Sequence, residues 1–227
     1  MAMEQIEASL GYVFQNKKLM EEALTHPSIS QQETSKNLFN YERLEFLGDG
    51  VLGLVIAELL INKYPEEKEG HLAKRQAGLV RGESVAKVAM QLGIGRFIKM
   101  TQGEEFMGGR DNSSNMENTM EALIGAVYLD GGLAAAKDFI AKHWAALLED
   151  MKEPPKDAKT ALQEWAQGRG LPIPKYTTVN SKGPSHDPEF EVEVEVVGLA
   201  PVKAIGGSKK KAEMDAAQKM LDIAQGE

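Results

Sequence analysis

The sequence predicts an all-α body over residues 1–150, followed by a small α+β domain in the order α-β-β-β-α over residues 158–227. Three observations predict it. Apolar side chains recur at helical intervals from residue 4 to residue 150. The stretch Met151-Lys152-Glu153-Pro154-Pro155-Lys156-Asp157 then sets paired prolines among charges, which neither continue a helix nor bury a face, and reads as a linker over 151–157. Beyond it, Glu189, Glu191, Glu193 and Glu195 alternate with Phe190, Val192, Val194 and Val196, the period of a strand with one wet and one buried face.

Taken in order, Leu10, Val13, Phe14, Leu19 and Leu24 suggest one or two short helices closing near Thr25-His26-Pro27. Residues 28–39 are polar and read as a loop. From Arg43 to Ile61 a helix of unusual apolarity is expected at the centre of the fold, ending by Tyr64-Pro65 because a residue before proline avoids the α region. Helices follow over 70–79 and 83–92. Residues 101–115, with Gly103, Gly108, Gly109 and Asn112, read as a glycine-rich, mobile loop. A buried helix over 115–129 stops at Asp130-Gly131-Gly132, and the last helix of the body, 133–150, carries Phe139, Ile140, Trp144 and Leu147 at helical spacing. After the linker come a helix over 160–168, strands over 175–179, 189–197 and 201–205, and a final helix over 208–224.

A chain of 227 residues with 42% hydrophobic side chains can bury a real core. It has no cysteine, which excludes disulfides, thiolate metal sites and a thiol nucleophile. The start, Met1-Ala2-Met3-Glu4-Gln5, lacks the basic and apolar regions of an export signal, and charges such as Glu58 and Lys63 interrupt every apolar run. A cytoplasmic protein with no membrane partner is the expectation. The net charge of −8 argues at first sight against nucleic acid, but the distribution matters more. Residues 1–157 carry 17 basic and 24 acidic side chains, whereas residues 158–227 carry 9 and 10 and hold the dense cluster Lys209-Lys210-Lys211. An acidic protein can still bind RNA through locally concentrated positive charge, so the net charge does not decide the partner.

The chemistry concentrates in Asn40-Tyr41-Glu42-Arg43-Leu44-Glu45-Phe46-Leu47-Gly48-Asp49-Gly50-Val51-Leu52. Glu42, Glu45 and Asp49 stand at i, i+3 and i+7, one narrow stripe of a helix, while Leu44, Leu47, Val51 and Leu52 fall on other sides and want a core. Crowded like charges are costly unless a proton or cation neutralises them, and Mg²⁺ prefers hard oxygen ligands. A second acidic face is needed to enclose an ion. Glu117-Asn118-Thr119-Met120-Glu121 offers it, with Glu117, Asn118 and Glu121 within one broad face and Met120, Leu123 and Val127 supplying packing. Glu69, at a helix start, is a further candidate, since the dipole there favours negative charge.

Glu42-Arg43-Leu44-Glu45-Phe46-Leu47-Gly48-Asp49 resembles the signature helix of the bacterial ribonuclease III family, and the likeness extends over almost the whole chain. It implies a helical endonuclease domain over 1–150, the linker, and a double-stranded-RNA-binding domain over 158–227. It implies metal-binding positions at Glu45, Asp49, Asn118 and Glu121, with Asp49 and Glu121 catalytic, and two further acids of the same cleft at Glu42 and Glu69. Phe46 matches an apolar residue that packs into a socket on a partner subunit, so the resemblance implies a homodimer cutting both strands of an RNA duplex. Mg²⁺ is the implied cofactor, with Mn²⁺ as a substitute. Phosphodiester hydrolysis needs an activated water and a stabilised leaving oxyanion, which two Mg²⁺ about 4 Å apart can supply. No histidine or serine nucleophile is required, in keeping with four histidines that form no cluster. The departure is Asn118, where the family usually has aspartate: an amide oxygen still binds Mg²⁺ but brings no charge, and either the site works with one neutral ligand, helped by Glu117, or its activity is weakened.

The terminal domain resembles the double-stranded-RNA-binding fold. Duplex RNA displays 2′-hydroxyls in a wide, shallow minor groove, so a rigid reader needs a helix, a loop and a basic helix terminus. Gln163 and Glu164 supply the first, Gly183-Pro184-Ser185-His186 the second with His186 as its contact, and Ser208-Lys209-Lys210-Lys211 the third, where the helix dipole and counterion release favour phosphate. The activity implied is Mg²⁺-dependent cleavage of double-stranded RNA to 5′-phosphate and 3′-hydroxyl ends with short 3′ overhangs, in processing of ribosomal RNA precursors and structured messages. Two other classes compete: a catalytically dead dimeric scaffold that only binds duplex RNA, favoured by Asn118 alone, and a structural ribosome-associated factor, which has no use for Glu45, Asp49 and Glu121 together.

Overall fold

Three short helices lead into the centre of the molecule. In this computed structural model, which describes residues 2–32, 39–153, 158–182 and 188–226, α1 (Ala2–Leu10) and α2 (Lys17–Ala23) give Ile6, Leu10, Met20 and Ala23 to the core. Asn16 caps α2 by accepting the Lys18 N–H. The polar stretch expected as a loop over 28–39 opens instead with α3 (Pro27–Gln32). Proline at a first helical position has its φ preset and lacks only an N–H that would be unpaired anyway, a start signal that polarity alone conceals. Residues 33–38 lie outside the described residues.

The apolar run forms α4 (Glu42–Lys63), which ends two residues before Pro65. α5 (Glu69–Val80) and α6 (Gly82–Gln91) follow, then a 3₁₀ turn at Ile94–Phe97 that the sequence did not signal. The glycine-rich segment is a correction. It holds a helix, α7 (Gln102–Phe106), capped by Thr101, which accepts the Glu104 N–H. Its fixity comes from side chains distant in pattern: Arg110 pairs with Glu105 and donates to the carbonyls of Gly95 and Ile98, and the Asn115 amide donates to Glu104 and to the Gly109 carbonyl, each at 3.0 Å. The two helices expected on either side of Gly131-Gly132 are both present within α8 (Ser113–Asp150), divided by a kink at Gly132, whose φ of 74° is a left-handed value that glycine adopts without steric cost.

Helices α4 and α8 cross with backbone against backbone. A Cβ at Gly48 would lie 1.7 Å from the Glu121 carbonyl oxygen, and one at Gly125 would lie 2.3 Å from that of Leu44. Only hydrogen fits at either position. Around this crossing Leu52, Val55 and Ile56 from α4 pack with Leu123, Ile124 and Val127 from α8, all buried, each stabilising the fold by about 1.5–3 kcal/mol. The end of α8 is clamped by Arg75, only 2% exposed. Its guanidinium pairs with Glu67 at 2.7 and 2.9 Å, donates to the Met151 carbonyl, and lies 3.8 Å from the centre of the Tyr64 ring.

The chain divides into two compact units, Met1–Pro155 and Lys156–Glu227. In the second, α9 (Ala158–Gln167) precedes strands β1 (Lys175–Lys182), β2 (Glu189–Glu195) and β3 (Val202–Gly206), and α10 (Lys209–Gln225) closes it. The sheet is antiparallel in the order β1-β2-β3, with Thr178 opposite Val192 and Val192 opposite Ala204, and a register irregularity at Val179. The alternation in β2 holds: Val192 and Val194 are buried, Glu189 and Glu195 exposed. Val194 and Ala204 pack with Leu162 and with Ala216, Ala217 and Met220, the small side chains letting α10 lie close to the sheet.

Candidate active site

The α4–α8 crossing sets the site. With Gly48 against Glu121 and Gly125 against Leu44, the α4 acids flanking Gly48 come beside the first turns of α8. A pocket of about 610 Å³ opens there, lined by Glu42, Glu45, Phe46 and Asp49 from α4, by Glu117, Asn118 and Glu121 from α8, and by Pro27, Tyr41 and Val80. The sequence-derived residues Glu42, Glu45, Asp49, Asn118 and Glu121 thus share one concavity, and Glu117 joins them.

Charge in this pocket is strained. Glu121 is only 7% exposed, and its carboxyl is pushed up to about 8, by burial first and then by Asp49, Glu117 and Glu45. Burial, followed by Glu42, Glu117 and Asp49, also raises Glu45. The donors fit a hard divalent cation: all the ligating atoms offered are oxygens, and their excess negative charge is what such an ion relieves. As they stand, no three histidine or carboxylate side chains among the described residues converge closely enough to grip an ion. The Asn118 Nδ2 donates to Tyr41 Oη at 3.5 Å, the one polar contact joining Asn118 to the pocket wall among the described residues.

One sequence expectation lands differently. Glu69 does not line this pocket; as the first residue of α5 it borders a separate depression with Ala57, Leu60 and Ile61. The reason is the break at Tyr64-Pro65, which folds α5 back along the far half of α4, two turns or more from Asp49. Phe46 is 84% exposed at the pocket rim, an apolar ring left uncovered by the described residues. Sequence reasoning missed Tyr41, Gly48 and Gly125. Glycine inside a helix costs about 1 kcal/mol against alanine, so its presence within so apolar a helix as α4 was the available signal for a close crossing.

In the second unit Gln163 and Glu164 are exposed on α9, and Lys209, Lys210 and Lys211 are exposed at the start of α10. Ser208 caps that helix by accepting the Lys211 N–H, and Lys211 also pairs with Asp215 at 3.0 Å. His186, with Gly183, Pro184 and Ser185, lies outside the described residues.

Residues 16–148 match the Ribonuclease-III-like family model, and residues 158–223 match the double-stranded RNA binding motif. Over 221 residues the chain is 51% identical to ribonuclease 3 of Ehrlichia ruminantium (strain Welgevonden), spanning 97% of this chain and 96% of that one. The chain belongs to the ribonuclease III family. Ribonuclease 3 of Wolbachia pipientis subsp. Culex pipiens (strain wPip) is 46% identical over 219 residues, 96% of this chain and 95% of the relative. The nuclease domain of ribonuclease III from Campylobacter jejuni superimposes with a TM-score of 0.58 at 42% identity, covering 63% of this chain and 94% of that one. A second structure of that domain describes flexibility in a region involved in its dimer formation, with a TM-score of 0.57. Being a ribonuclease III joined to a double-stranded RNA binding motif, this chain is a double-stranded-RNA endoribonuclease, which sets aside the binding-only and structural readings. Among the described residues no helix is long and apolar enough to cross a membrane.

Proposed function

We propose that the α4–α8 pocket is a Mg²⁺-dependent phosphodiesterase centre cutting duplex RNA to 5′-phosphate and 3′-hydroxyl ends, in the processing of ribosomal RNA precursors and structured messages in the cytoplasm. The observation that carries this reading is the meeting of Glu45 and Asp49 with Asn118 and Glu121 around one concavity, where burial first, and then Asp49, Glu117 and Glu45, push Glu121 up to about 8. Burial and mutual repulsion of this size are the pattern expected of a site built for a cation. Glu45, Asp49, Asn118 and Glu121 would hold the ion, with Mn²⁺ as a substitute. Mg²⁺, when bound, supplies Lewis-acid stabilisation of the phosphate and makes an attacking water more acidic.

The chain's own part is positional. The backbone crossing keeps Asp49 and Glu121 side by side, and Glu42 and Glu117 extend the negative wall. Phe46 at the rim would pack into a second copy of the chain, supporting a homodimer with one site per subunit. Gln163, Glu164 and His186 would meet the minor groove, and Lys209, Lys210 and Lys211 the phosphates, from a module over 158–227 tethered through 151–157 to the nuclease part over 1–150. Glu69 belongs to this reading only as an acid outside the pocket of a single protomer.

The test is incubation of the full chain with a long RNA duplex, with Mg²⁺ and with EDTA. Cleavage is expected only with the metal, with ends open to ligation after 5′-phosphate mapping, and Glu121→Gln should abolish it. Full cleavage in EDTA, or by Glu121→Gln, overturns the assignment of this pocket.

A further inference from the structure

Asn118 poses a problem that an aspartate would not. A carboxylate has two equivalent oxygens, whereas an amide has one end that ligates a hard cation and one that repels it. Beside Asn118 stand Glu45, Glu117 and Glu121, each able to accept the amide NH2 and so to turn the carbonyl oxygen away from the ion's place. Something must hold the NH2 against that pull.

Tyr41 is built to do so. It is buried, precedes the first residue of α4, donates its backbone N–H to the Thr25 carbonyl at 3.0 Å and accepts the Glu45 N–H at its own carbonyl at 2.8 Å. Its ring meets the His26 ring edge-on, 5.6 Å between centroids. His26 is itself fixed. The Ser28 N–H donates to its Nδ1 at 3.1 Å, so the proton resides on Nε2, which donates to Asn115 Oδ1 at 3.2 Å. The other end of the Asn115 amide is committed to Glu104 and Gly109. This leaves the Tyr41 hydroxyl at a fixed point 3.5 Å from Asn118 Nδ2.

We propose that Tyr41 is a positioning residue, whose hydroxyl oxygen takes the Asn118 NH2 and thereby presents the Asn118 carbonyl oxygen to the cation. This rests on the reading of Asn118 as a cation ligand. A phenylalanine at position 41 keeps the packing against His26 and removes the acceptor; an aspartate at position 118 removes the need for one.

The experiment is a double-mutant cycle read by calorimetric titration of MgCl2 into the full chain, backed by the Mg²⁺-induced rise in melting temperature. Tyr41→Phe should weaken Mg²⁺ binding by roughly three- to tenfold, the loss of one orienting hydrogen bond. In the Asn118→Asp background the same substitution should change it by less than about twofold, because coupling vanishes when the oriented group does. Equal weakening in both backgrounds means a general structural role and overturns the proposal, as does no weakening beside Asn118. Asn118→Ala separates the two levels: unchanged Mg²⁺ affinity there overturns the ligand reading and the proposal together, whereas weakened affinity with an inert Tyr41→Phe overturns the orientation alone.

Discussion

Glu121 is held at a cost, and Glu121→Gln exposes it. The carboxyl moves from 4.5 in an unperturbed chain up to about 8 in the fold. Between those values the folded state keeps a proton that the unfolded chain has already released, so stability falls as pH climbs through the window. At about 1.4 kcal/mol per tenfold change in proton affinity, the ceiling on that loss is roughly 4–5 kcal/mol. Solvent in the open mouth of the pocket screens part of it, leaving about 2 kcal/mol as the working figure. Urea unfolding in EDTA should therefore show the parent chain less stable at about pH 8.5 than at about pH 5, with Glu121→Gln lacking this part of the decline. Mg²⁺ should restore the parent at the higher pH and leave the variant little changed. If both proteins lose stability equally across the window, the crowding argument fails, and with it the electrostatic case for a cation here.

Other parts of the structure give sharper single outcomes. Gly48→Ala should be among the most destabilising substitutions, by about 3 kcal/mol or more, since its Cβ would meet the backbone of α8, and circular dichroism melts should show it. Asp130 lies below the usual carboxylate range: burial acts to raise it, but the N–H groups of Asn16 and Gln15 and the Tyr12 hydroxyl outweigh that. A depressed carboxyl contributes stability above its unfolded value and loses it as pH falls through the folded one, so Asp130→Asn should cost about 1–3 kcal/mol at neutral pH and blunt the acid-induced decline below about pH 4. Replacing Lys209, Lys210 and Lys211 by alanine should weaken binding of duplex RNA and lower the slope of log affinity against log salt by about 2–3, with cleavage retained at low salt.

How much of this was legible in the sequence depends on where the information sits. The helices with an apolar stripe, the alternation in β2 and the proline-bounded linker are local patterns, and they read through directly. The acids of α4 and α8 were legible as two rows, because each row is a repeat within one helix. Their meeting was expected on chemical need and family resemblance, but the contact that enforces it was not legible, since it depends on Gly48 and Gly125, whose meaning lies in what the other helix places against them. The helix α3 and the capped α7 were hidden for a related reason: polar, glycine-rich segments look loose until distant partners such as Arg110 and Asn115 are seen to tie them. Glu69 lies away from the pocket of the single chain, because the turn at Tyr64-Pro65 carries its helix along the far half of α4, and an acid at a helix start does not reveal that turn.

The glycine contact between α4 and α8 gives the enzyme a hard stop. Side chains in a core can be exchanged for others of similar volume and the neighbours shift by tenths of an ångström to suit. Two main chains already touching have no such slack, so the gauge between the acid rows is indifferent to how the surrounding leucines and valines drift over evolutionary time. Engineers recolouring this core for heat resistance should find the spacing of the acid rows preserved as long as those two hydrogens are left alone.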